Sequence, residues 1–404
     1  MRAVFINNCH PDTPHVCAIR MREFAKAMAA RGHKIILLTE TLYASPEAVS
    51  VSITEKQLDD HDFTFPFYMA APPVGFPLLN MLRKGQLIWG IRQFIIFWSY
   101  KRHRGVFTNW RRGCQPYLDL IASKFSPDAI WSTFGGTDCW NIAQDLASKS
   151  GCAWVADIKD LWGTFIPWPF KSSLAQSYRN AVAMTTFSKL HKLESEVYFP
   201  MDKYVLYSGF NSYQINAVTT IPSDQFFISI TGSIYNPRYL DTVLLAILEW
   251  LKYRSSKFQN NFKLIYAGTA NNEVNLALKR VNWKFKTEIN NYLDPNQYFA
   301  ILAKCNLNIY LRNDGNFQHK IFELLAIGKP IMCFPAESAE VIDLFDEVGG
   351  KLFNCQSFDN ILTSLESLGD RLMSTRRKNK QMAKFQWDHQ VEILENVLGD
   401  AIRN

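Results

Sequence analysis

The sequence contains no aspartate or glutamate between Phe63 and Leu118, yet eight lysines and arginines lie in that stretch. Removing these eight from the 44 basic residues of the chain leaves 36, against 37 acidic ones, so the net charge of +7 comes from this one segment. A basic segment without acidic neighbours favours an anionic partner, either a membrane surface or a nucleic acid. The basic residues are Arg83, Lys84, Arg92, Lys101, Arg102, Arg104, Arg111 and Arg112.

Other absences exclude several classes of protein. The chain has no uninterrupted apolar run of about 20 residues, which a membrane-spanning helix needs. No G-x-G-x-x-G motif opens the first helix, which argues against a dehydrogenase. The eight cysteines form no C-x-x-C pair and show no metal-ligand spacing, which favours free, mostly buried thiols in a reducing compartment. The first residues lack the pattern of a secretion signal, so we expect a cytoplasmic protein.

Strands and helices alternate along the chain. A length of 404 residues favours two domains, and 48% apolar residues are enough for full cores. The alternation predicts parallel sheets with helices on both faces, and it restarts after a polar stretch near 209–224. We therefore predict an α/β fold with two doubly wound domains, 1–208 and 209–385, and a C-terminal helix within 386–404. The predicted strands are AVFINN, KIILLT, PDAIWST, AWVADI, AMTTFS and KYVLYS in the first domain, and FFISIT, FKLIYAG, LNIYLR and KPIMCFP in the second.

The segment from about 74 to 112 does not follow this alternation. Its apolar run is interrupted by Arg92, and aromatic residues such as Trp89, Phe94 and Trp98 are flanked by basic ones. This composition is typical of an interfacial helix on anionic lipid; the alternative is a buried connecting helix with a solvated basic end. Because the aromatic residues cluster in one apolar run, the segment favours a membrane surface over nucleic acid.

Two stretches of the second domain have residues suited to a phosphate. In ITGSIYNPRYLD, a strand ends at Gly232 and Ser233 and a helix begins near Pro237, so backbone amides and Arg238 can meet a diphosphate. Taken alone, such a turn is also explained by the steric need for glycine.

The second stretch is HKIFELLAIGKPIM. Lys320 and Glu323 share one face of a helix, while the apolar residues point to another. Gly328 and Pro330 are placed to end that helix before a short apolar strand. A solvated salt bridge between Lys320 and Glu323 is the alternative to a ligand-binding role.

These stretches resemble those of the GT-B glycosyltransferases, in particular the retaining family 4 enzymes. The resemblance implies two Rossmann-like domains that face each other across a cleft, with the last helix packed on the first domain. It also implies a nucleotide-sugar donor in the second domain, an acceptor in the first, and no separate cofactor. It rests on MREFAKAMAARGHKIILLT, WVADIKDLWG, ITGSIYNPRYLD, HKIFELLAIGKPIM and FQWDHQVEILENVL, which span nearly the whole chain in the family's order.

The resemblance assigns roles to the matching residues. Lys320 and Arg238 hold the diphosphate and stabilise its charge as it leaves, without a metal ion. Gly232 and Ser233 lie against the phosphates, and Glu323 accepts hydrogen bonds from the ribose. We expect the sugar to be transferred, with retention, to a glycan or lipid-linked acceptor of a cell-surface polysaccharide. The expected location is the cytoplasmic face of the membrane, on anionic lipid and without nucleic acid.

In the first domain, Asp157 and Asp160 are candidates for orienting the acceptor hydroxyls. Asp160 is preferred over Asp157, and its alternative role is to cap the helix or turn that follows. Lower-ranked candidates for contact with phosphate or sugar are His10, His15, Arg20, Arg22, Trp162 and Trp168.

The sequence departs from the family pattern in two places. Many members carry another glutamate eight positions before the residue that matches Glu323, but this chain has Gly315 there, so neighbouring Asp314 is a candidate for the donor sugar. The stretch DIKDLWG also lacks the histidine often found near the reaction centre of relatives. These departures motivate an alternative, a GT-B-like scaffold or glycan-binding protein without transfer activity.

Overall fold

The computed structural model describes residues 1–13, 15–42, 50–211, 225–291, 293–313, 317–368 and 380–403. The chain divides into two compact units, Met1–Ser208 together with Trp387–Asn404, and Gly209–Gln386. Each unit contains one parallel sheet with helices packed against it. The α/β, doubly wound fold class predicted from the sequence is therefore confirmed.

The first unit contains a seven-stranded sheet with the order β3-β2-β1-β4-β5-β6-β7. The order reverses at β1, so the carboxyl ends of β1 and β4 form the switch point at which such sheets bind ligands. The strands are β1 (Arg2–Ile6), β2 (Lys34–Glu40), β3 (Phe67–Ala71), β4 (Ala129–Phe134), β5 (Ala153–Ile158), β6 (Ala183–Thr186) and β7 (Lys203–Val205).

Helices cover both faces of this sheet. One face packs on α5 and α6 through residues such as Trp110 and Trp140. The other packs on α1 through Phe24 and on the last helix, Trp387–Arg403, through Leu394. The helices are α1 (Val16–Ala30), α2 (Val51–Asp59), α3 (Pro77–Arg83), α4 (Trp89–His103), α5 (Thr108–Leu120, extended by a π-helical turn Ile121–Phe125), α6 (Thr137–Ser150), α7 (Trp162–Phe165), α8 (Lys171–Ser177, preceded by a 3₁₀ turn Trp168–Phe170) and α9 (Lys189–Glu196).

The last helix, α17 (Trp387–Arg403), belongs to the first unit although the whole second unit precedes it in the chain. Trp387 meets Phe24 edge-to-face with ring centroids 5.1 Å apart. Glu395 pairs with Arg31 and with His33 Nε2, each at 2.7 Å. Buried apolar residues along α17, such as Val391 and Leu398, pack into the core that α1 and the sheet form.

The second unit contains a six-stranded sheet with the order β10-β9-β8-β11-β12-β13, whose switch point lies at β8 and β11. Its strands are β8 (Phe226–Thr231), β9 (Phe262–Ala267), β10 (Lys286–Asn290), β11 (Leu307–Leu311), β12 (Ile331–Phe334) and β13 (Leu352–Asn354). Its helices are α10 (Pro237–Lys252), α11 (Ser256–Asn261), α12 (Asn271–Arg280), α13 (Pro295–Lys304), α14 (Lys320–Ile327), α15 (Ala339–Glu347) and α16 (Phe358–Leu368), with a 3₁₀ segment Lys380–Phe385 before α17.

The sequence pattern located the central strands of both sheets and the edge strand β7, and it missed β3, β10 and β13. All three missed strands lie at sheet edges. β10, with the sequence KTEIN, is partly solvated along its length. An edge strand is buried less than a central one, so it lacks the continuous apolar run by which the buried strands are recognised.

All eight cysteines are free thiols, and six of them are buried. This confirms the expectation of free, mostly buried thiols.

Candidate active site

The turn after β8 is held to the neighbouring strand by two hydrogen bonds of Gly232. Its N–H donates to the Ala267 carbonyl at 3.0 Å, and its own carbonyl accepts from the Tyr266 hydroxyl at 2.8 Å. Gly232 has a φ of +92°, and a Cβ at this position would lie 2.6 Å from Lys320 Nζ. The backbone conformation therefore favours glycine here, and a Cβ would displace the end of the Lys320 side chain.

Lys320, the first residue of α14, reaches this turn from the neighbouring part of the sheet. Its Nζ donates to the Thr231 carbonyl at 3.1 Å and lies 5.2 Å from the ring centre of Tyr310. Burial lowers the pKa of Lys320 to about 8, while the nearby acidic groups act in the opposite direction. The structure thus brings Lys320 to Gly232, the two residues that the resemblance assigns to one diphosphate.

Glu323 lies one helical turn beyond Lys320. Its side chain is half-buried, with Oε1 3.4 Å from His319 Nε2. The six other residues of α14 are all buried, so Lys320 and Glu323 are the two charged side chains of an otherwise apolar helix. Gly328 ends the helix with a φ of +69° and donates its N–H to the Leu325 carbonyl, which confirms the predicted stop.

Ser233 and Arg238 lie on the other side of the turn. Ser233 is half-buried, and Arg238 is an exposed residue in the first turn of α10. Asn236 caps this helix by accepting the Arg238 backbone N–H at 3.1 Å. The helix begins at Pro237, as predicted. Asp314, with Gly315 and Asn316, lies outside the described residues.

Tyr310 and Glu337 lie near Lys320, and Arg312 pairs with Glu337; none of the three was identified from the sequence. The Tyr310 hydroxyl donates to Glu337 Oε1 at 3.1 Å, and Arg312 Nε lies 3.4 Å from Glu337 Oε2. Burial raises the pKa of Glu337, and Arg312 lowers it in opposition. Tyr310 and Arg312 end and follow β11, so their place at a carboxyl strand end was a signal that could have identified them.

In the first unit, Asp157, a candidate for orienting an acceptor, lies in a buried ion pair. Asp157 is fully buried in β5, where Oδ1 accepts from Arg20 Nη2 at 2.9 Å and from the Thr185 hydroxyl at 2.7 Å. Arg20 is equally buried, with its guanidinium 4.9 Å from the ring centre of Phe24. Both residues are buried, and their ion pair joins α1 to the sheet.

Asp160 is placed differently, in the loop after β5. It is half-buried, and burial raises its pKa while Lys159 beside it lowers it. The alternative of a cap on the next helix is not supported, since Glu194 accepts the N–H groups of Trp162 and Gly163 at the start of α7. Asp160 remains the acidic candidate of this unit.

The lower-ranked candidates differ in how far they are buried and in their hydrogen-bond or ion-pair partners. Trp162 is fully buried and packs in the core, whereas Trp168 is 83% exposed. His15 caps α1 by accepting the Cys17 N–H, and His10 accepts the Asp12 N–H. Arg22 pairs with Glu23 and donates to the Pro11 carbonyl.

One Asp-x-Asp triplet, the type of motif that binds a divalent cation in many transferases, occurs in the chain as Asp60-His61-Asp62. It follows α2 and precedes the amino end of β3, at the edge of the sheet opposite the carboxyl strand ends. Asp62 accepts from the backbone and hydroxyl of Thr64. The triplet is therefore a turn element, and it does not join the candidate site.

The basic segment forms an exposed apolar surface. Of the 15 residues in α4, only Ser99 and Tyr100 are buried, while Trp89, Phe94 and Trp98 are 77%, 66% and 53% exposed. This overturns the alternative of a buried connecting helix. A cavity of about 270 Å³ lies between α3 and α4, and its lining includes Leu78, Leu79, Phe94, Trp98, His103 and Arg112. Among the residues that the structure describes, no helix is both long and apolar enough to cross a membrane.

Comparison with models of known protein families and with curated protein sequences finds no match. Solved structures do match over the whole length. Sucrose-phosphate synthase from Thermosynechococcus elongatus is 12% identical with a TM-score of 0.69, and the match covers 100% of this chain and 99% of that one. The chain has the GT-B fold.

Two further structures with the GT-B fold match similarly. The Anabaena protein HepE, in complex with UDP and glucose, is 13% identical with a TM-score of 0.62, covering 99% of this chain and all of that one. A glycosyltransferase from Rickettsia africae is 13% identical with a TM-score of 0.65, covering 100% of this chain and 99% of that one. Because the identities are so low, these matches establish the fold alone.

Proposed function

We propose that this GT-B protein is a glycosyltransferase whose nucleotide-sugar donor binds in the second unit. The observation that carries the proposal is the approach of Lys320 to Gly232. A partly buried ammonium group beside a glycine turn, at the switch point of a parallel sheet, suits a diphosphate. Glu323, on the same face of α14, is placed to accept hydrogen bonds from the hydroxyls of the ribose.

The chemistry follows from the charges around this turn. A departing nucleotide diphosphate gains negative charge as the bond to the sugar breaks, and a fixed cation stabilises that charge. With a pKa of about 8, Lys320 is mostly protonated at neutral pH. Exposed Arg238, in the first turn of α10, supplies further stabilisation. This set of groups needs no metal ion at the diphosphate.

The ligands bound in two of the matching structures guide the choice of donor. HepE was solved with UDP and glucose, and an Escherichia coli neighbour was solved with UDP-2-fluoro glucose. UDP-sugars are therefore the first donors to test. The family resemblance adds retention of configuration, with a donor phosphate oxygen taking the proton of the acceptor hydroxyl. In the first unit, Asp160 orients that hydroxyl.

The proposed acceptor is a lipid-linked or surface glycan, reached from the cytoplasmic face of a membrane. The exposed aromatic residues of α4, its basic C-terminal turn and the absence of acidic residues from 63 to 118 support this placement. Apolar side chains enter the boundary of the lipid while lysines and arginines meet anionic headgroups. The cavity between α3 and α4 adds an apolar recess that ends at His103 and Arg112.

The competing function is a scaffold that has kept the fold but not the transfer. Gly315 in place of the usual glutamate and the missing histidine motivate it. The contacts that hold Lys320 over Gly232 argue for the enzyme, because a scaffold has no need of a cation at this turn.

A donor screen tests the proposal. Purified protein is mixed with UDP-, GDP-, ADP-, TDP- and CMP-sugars, and melting temperature and donor hydrolysis are measured. Glu323→Ala is compared with Glu366→Ala, which removes an exposed glutamate from α16 of the same unit. We expect one donor to stabilise and be hydrolysed by the wild type and Glu366→Ala, and by Glu323→Ala much more weakly.

Three results would count against the proposal. A donor effect that is equal in both variants would show that Glu323 does not contact the donor. No shift with any donor would remove the transferase proposal. Donor binding without turnover, when glycan and lipid-linked acceptors are supplied, would favour the scaffold.

A further inference from the structure

Two cysteines and a histidine meet at the carboxyl end of β1, in the first unit. Cys9 follows β1, and His15 and Cys17 begin α1. One donor atom of each residue lies within 4.8 Å of the other two, and Cys9 Sγ is 3.8 Å from His15 Nδ1. In a tetrahedral zinc site, bond lengths of about 2.3 Å to sulfur and 2.0 Å to nitrogen place these atoms about 3.6 Å apart. The observed spacing already approaches that of a metal site.

We propose that Cys9, His15 and Cys17 form a site for a thiophilic divalent metal ion such as Zn²⁺. Two sulfur ligands and one imidazole are the donor set that such ions prefer. The site does not depend on the proposed transferase function.

The surroundings prepare the ligands for a cation. The imidazole Nδ1 accepts the Cys17 backbone N–H at 3.2 Å, which holds this nitrogen beside the start of α1. A bound metal ion takes the lone pair of this nitrogen in place of the N–H. Cys17 lies in the first turn of α1, where the helix dipole stabilises a thiolate.

Two neighbouring side chains hold the ligands in position. Asn7 is buried and donates to the carbonyl oxygens of Cys9 and Cys17, each at 3.3 Å, which fixes the distance between the two ligand backbones. The Lys159 ammonium donates to Cys17 Sγ. A thiolate sulfur has several lone pairs, so this hydrogen bond is compatible with a metal bond, as outer contacts of metal ligands generally are.

The site also has a route of entry and an open position. His15 is exposed and Cys9 is half-buried, so an ion can reach the buried Cys17 sulfur from solvent. Three protein ligands leave the fourth tetrahedral position for water or another small ligand. The sequence spacing, C-x₅-H-x-C, differs from the paired spacings by which zinc sites are usually recognised, and for that reason the sequence analysis found no metal ligands.

The test is a metal titration of the full chain, purified without a metal-binding tag and stripped with a chelator. Co²⁺ is added without oxygen, followed by Zn²⁺ in competition. We expect one ion per chain, a thiolate-to-cobalt charge-transfer band and the visible bands of tetrahedral cobalt. Cys9→Ser and Cys17→Ser should each weaken binding by more than about 100-fold, beyond the loss typical of an outer-shell partner. Cys152→Ser, at a half-buried thiol of the same unit, should leave binding unchanged.

Several outcomes would overturn the proposal. Absence of the charge-transfer band in the wild type shows that thiolates do not bind the ion. A band that survives both Cys9→Ser and Cys17→Ser places the metal elsewhere. A mass two daltons low in the freshly purified protein, assigned to a Cys9–Cys17 bond, makes the pair a disulfide. Cys17 is buried, whereas Cys9 is only half-buried. If the Cys17→Ser protein does not fold, the Cys9→Ser protein therefore still tests the proposal. Each readout is independent of sugar transfer.

Discussion

The ammonium group of Lys320 donates a hydrogen bond to the carbonyl of Thr231, a residue 89 positions earlier in the chain. One residue opens α14 and the other ends β8, so the contact joins a helix start to a strand end at the switch point of the second sheet. The candidate site therefore exists only when the unit is folded, and each prediction for it tests the folded arrangement.

The first prediction concerns the pH dependence of nucleotide binding. Burial holds the pKa of Lys320 at about 8, below its ordinary value, so the side chain is charged below that pH and neutral above it. UDP affinity should fall as the pH rises through about 8 to 9, with the midpoint moved upward by the bound diphosphate. Lys320→Met should bind about 10- to 100-fold more weakly below pH 8, as expected for a lost charge-assisted hydrogen bond.

Calorimetric titrations of UDP from about pH 6.5 to 9.5 provide the check. Lys320→Arg is the control that keeps the charge at every pH, so its affinity should decline less. Parallel pH profiles for the wild type and Lys320→Met would show that Lys320 does not meet the phosphates.

The second prediction compares two glycines with positive φ. Gly232→Ala and Gly151→Ala both force alanine into a left-handed conformation, at +92° and +69°, and should each cost about 1–2 kcal/mol of stability. A Cβ at Gly232 would also meet Lys320 Nζ, whereas nothing lies within 4 Å of one at Gly151. Only Gly232→Ala should therefore weaken UDP binding. Urea unfolding measures the stability of both variants, and titration with UDP measures their affinity. Equal UDP affinities of Gly232→Ala and Gly151→Ala would contradict the prediction for Gly232.

The third prediction concerns the buried ion pair of Arg20 and Asp157. Arg20→Met leaves a buried carboxylate without its cation and should destabilise the first unit by about 3–5 kcal/mol. Adding Asp157→Leu should recover much of that loss, because no unpaired charge remains. Asp128→Ala, which breaks the exposed Arg2–Asp128 pair, should cost about 1 kcal/mol or less.

Denaturant unfolding of the single and double variants measures these costs. If Arg20→Met were as mild as Asp128→Ala, the buried Asp157 would not depend on Arg20 for its stabilisation.

The fourth prediction concerns membrane binding by α4. Trp89→Ser with Trp98→Ser should reduce co-sedimentation with anionic vesicles at least about tenfold, because each buried aromatic ring contributes more than 1 kcal/mol. Lys101→Glu with Arg102→Glu should weaken binding to anionic vesicles in a salt-dependent manner. Tyr253→Ser is the control, since Tyr253 is an 80% exposed aromatic residue of the second unit. If both double variants bound anionic vesicles as strongly as the wild type, α4 would not be a membrane-binding surface.

The sequence predicted the central strands because each is an apolar run that is buried on both faces. It did not predict β3, β10 and β13, because an edge strand is held by one neighbour and does not require such a run. The helix stop at Gly328 and the start at Pro237 were predictable, since both depend on local backbone chemistry. The fold class could therefore be predicted from local sequence patterns.

The candidate site was predictable only in part. The i and i+3 spacing placed Lys320 and Glu323 on one face, and the glycine turn was recognisable. The burial of Asp157 by Arg20 was not, because the two residues are 137 positions apart and nothing local marks them as partners. The capping of α7 by Glu194 and the support of Lys320 by Glu337 are likewise contacts between distant segments.

The placement of α17 has a consequence for the order in which the chain can fold. Phe24, Met28 and Trp131 belong to a core that is closed by residues after Trp387. During synthesis, that face of the first unit stays uncovered until the whole second unit has left the ribosome. The second unit, Gly209–Gln386, has a sheet and core of its own and can form meanwhile. The half of the protein that is made first is therefore the half that is completed last.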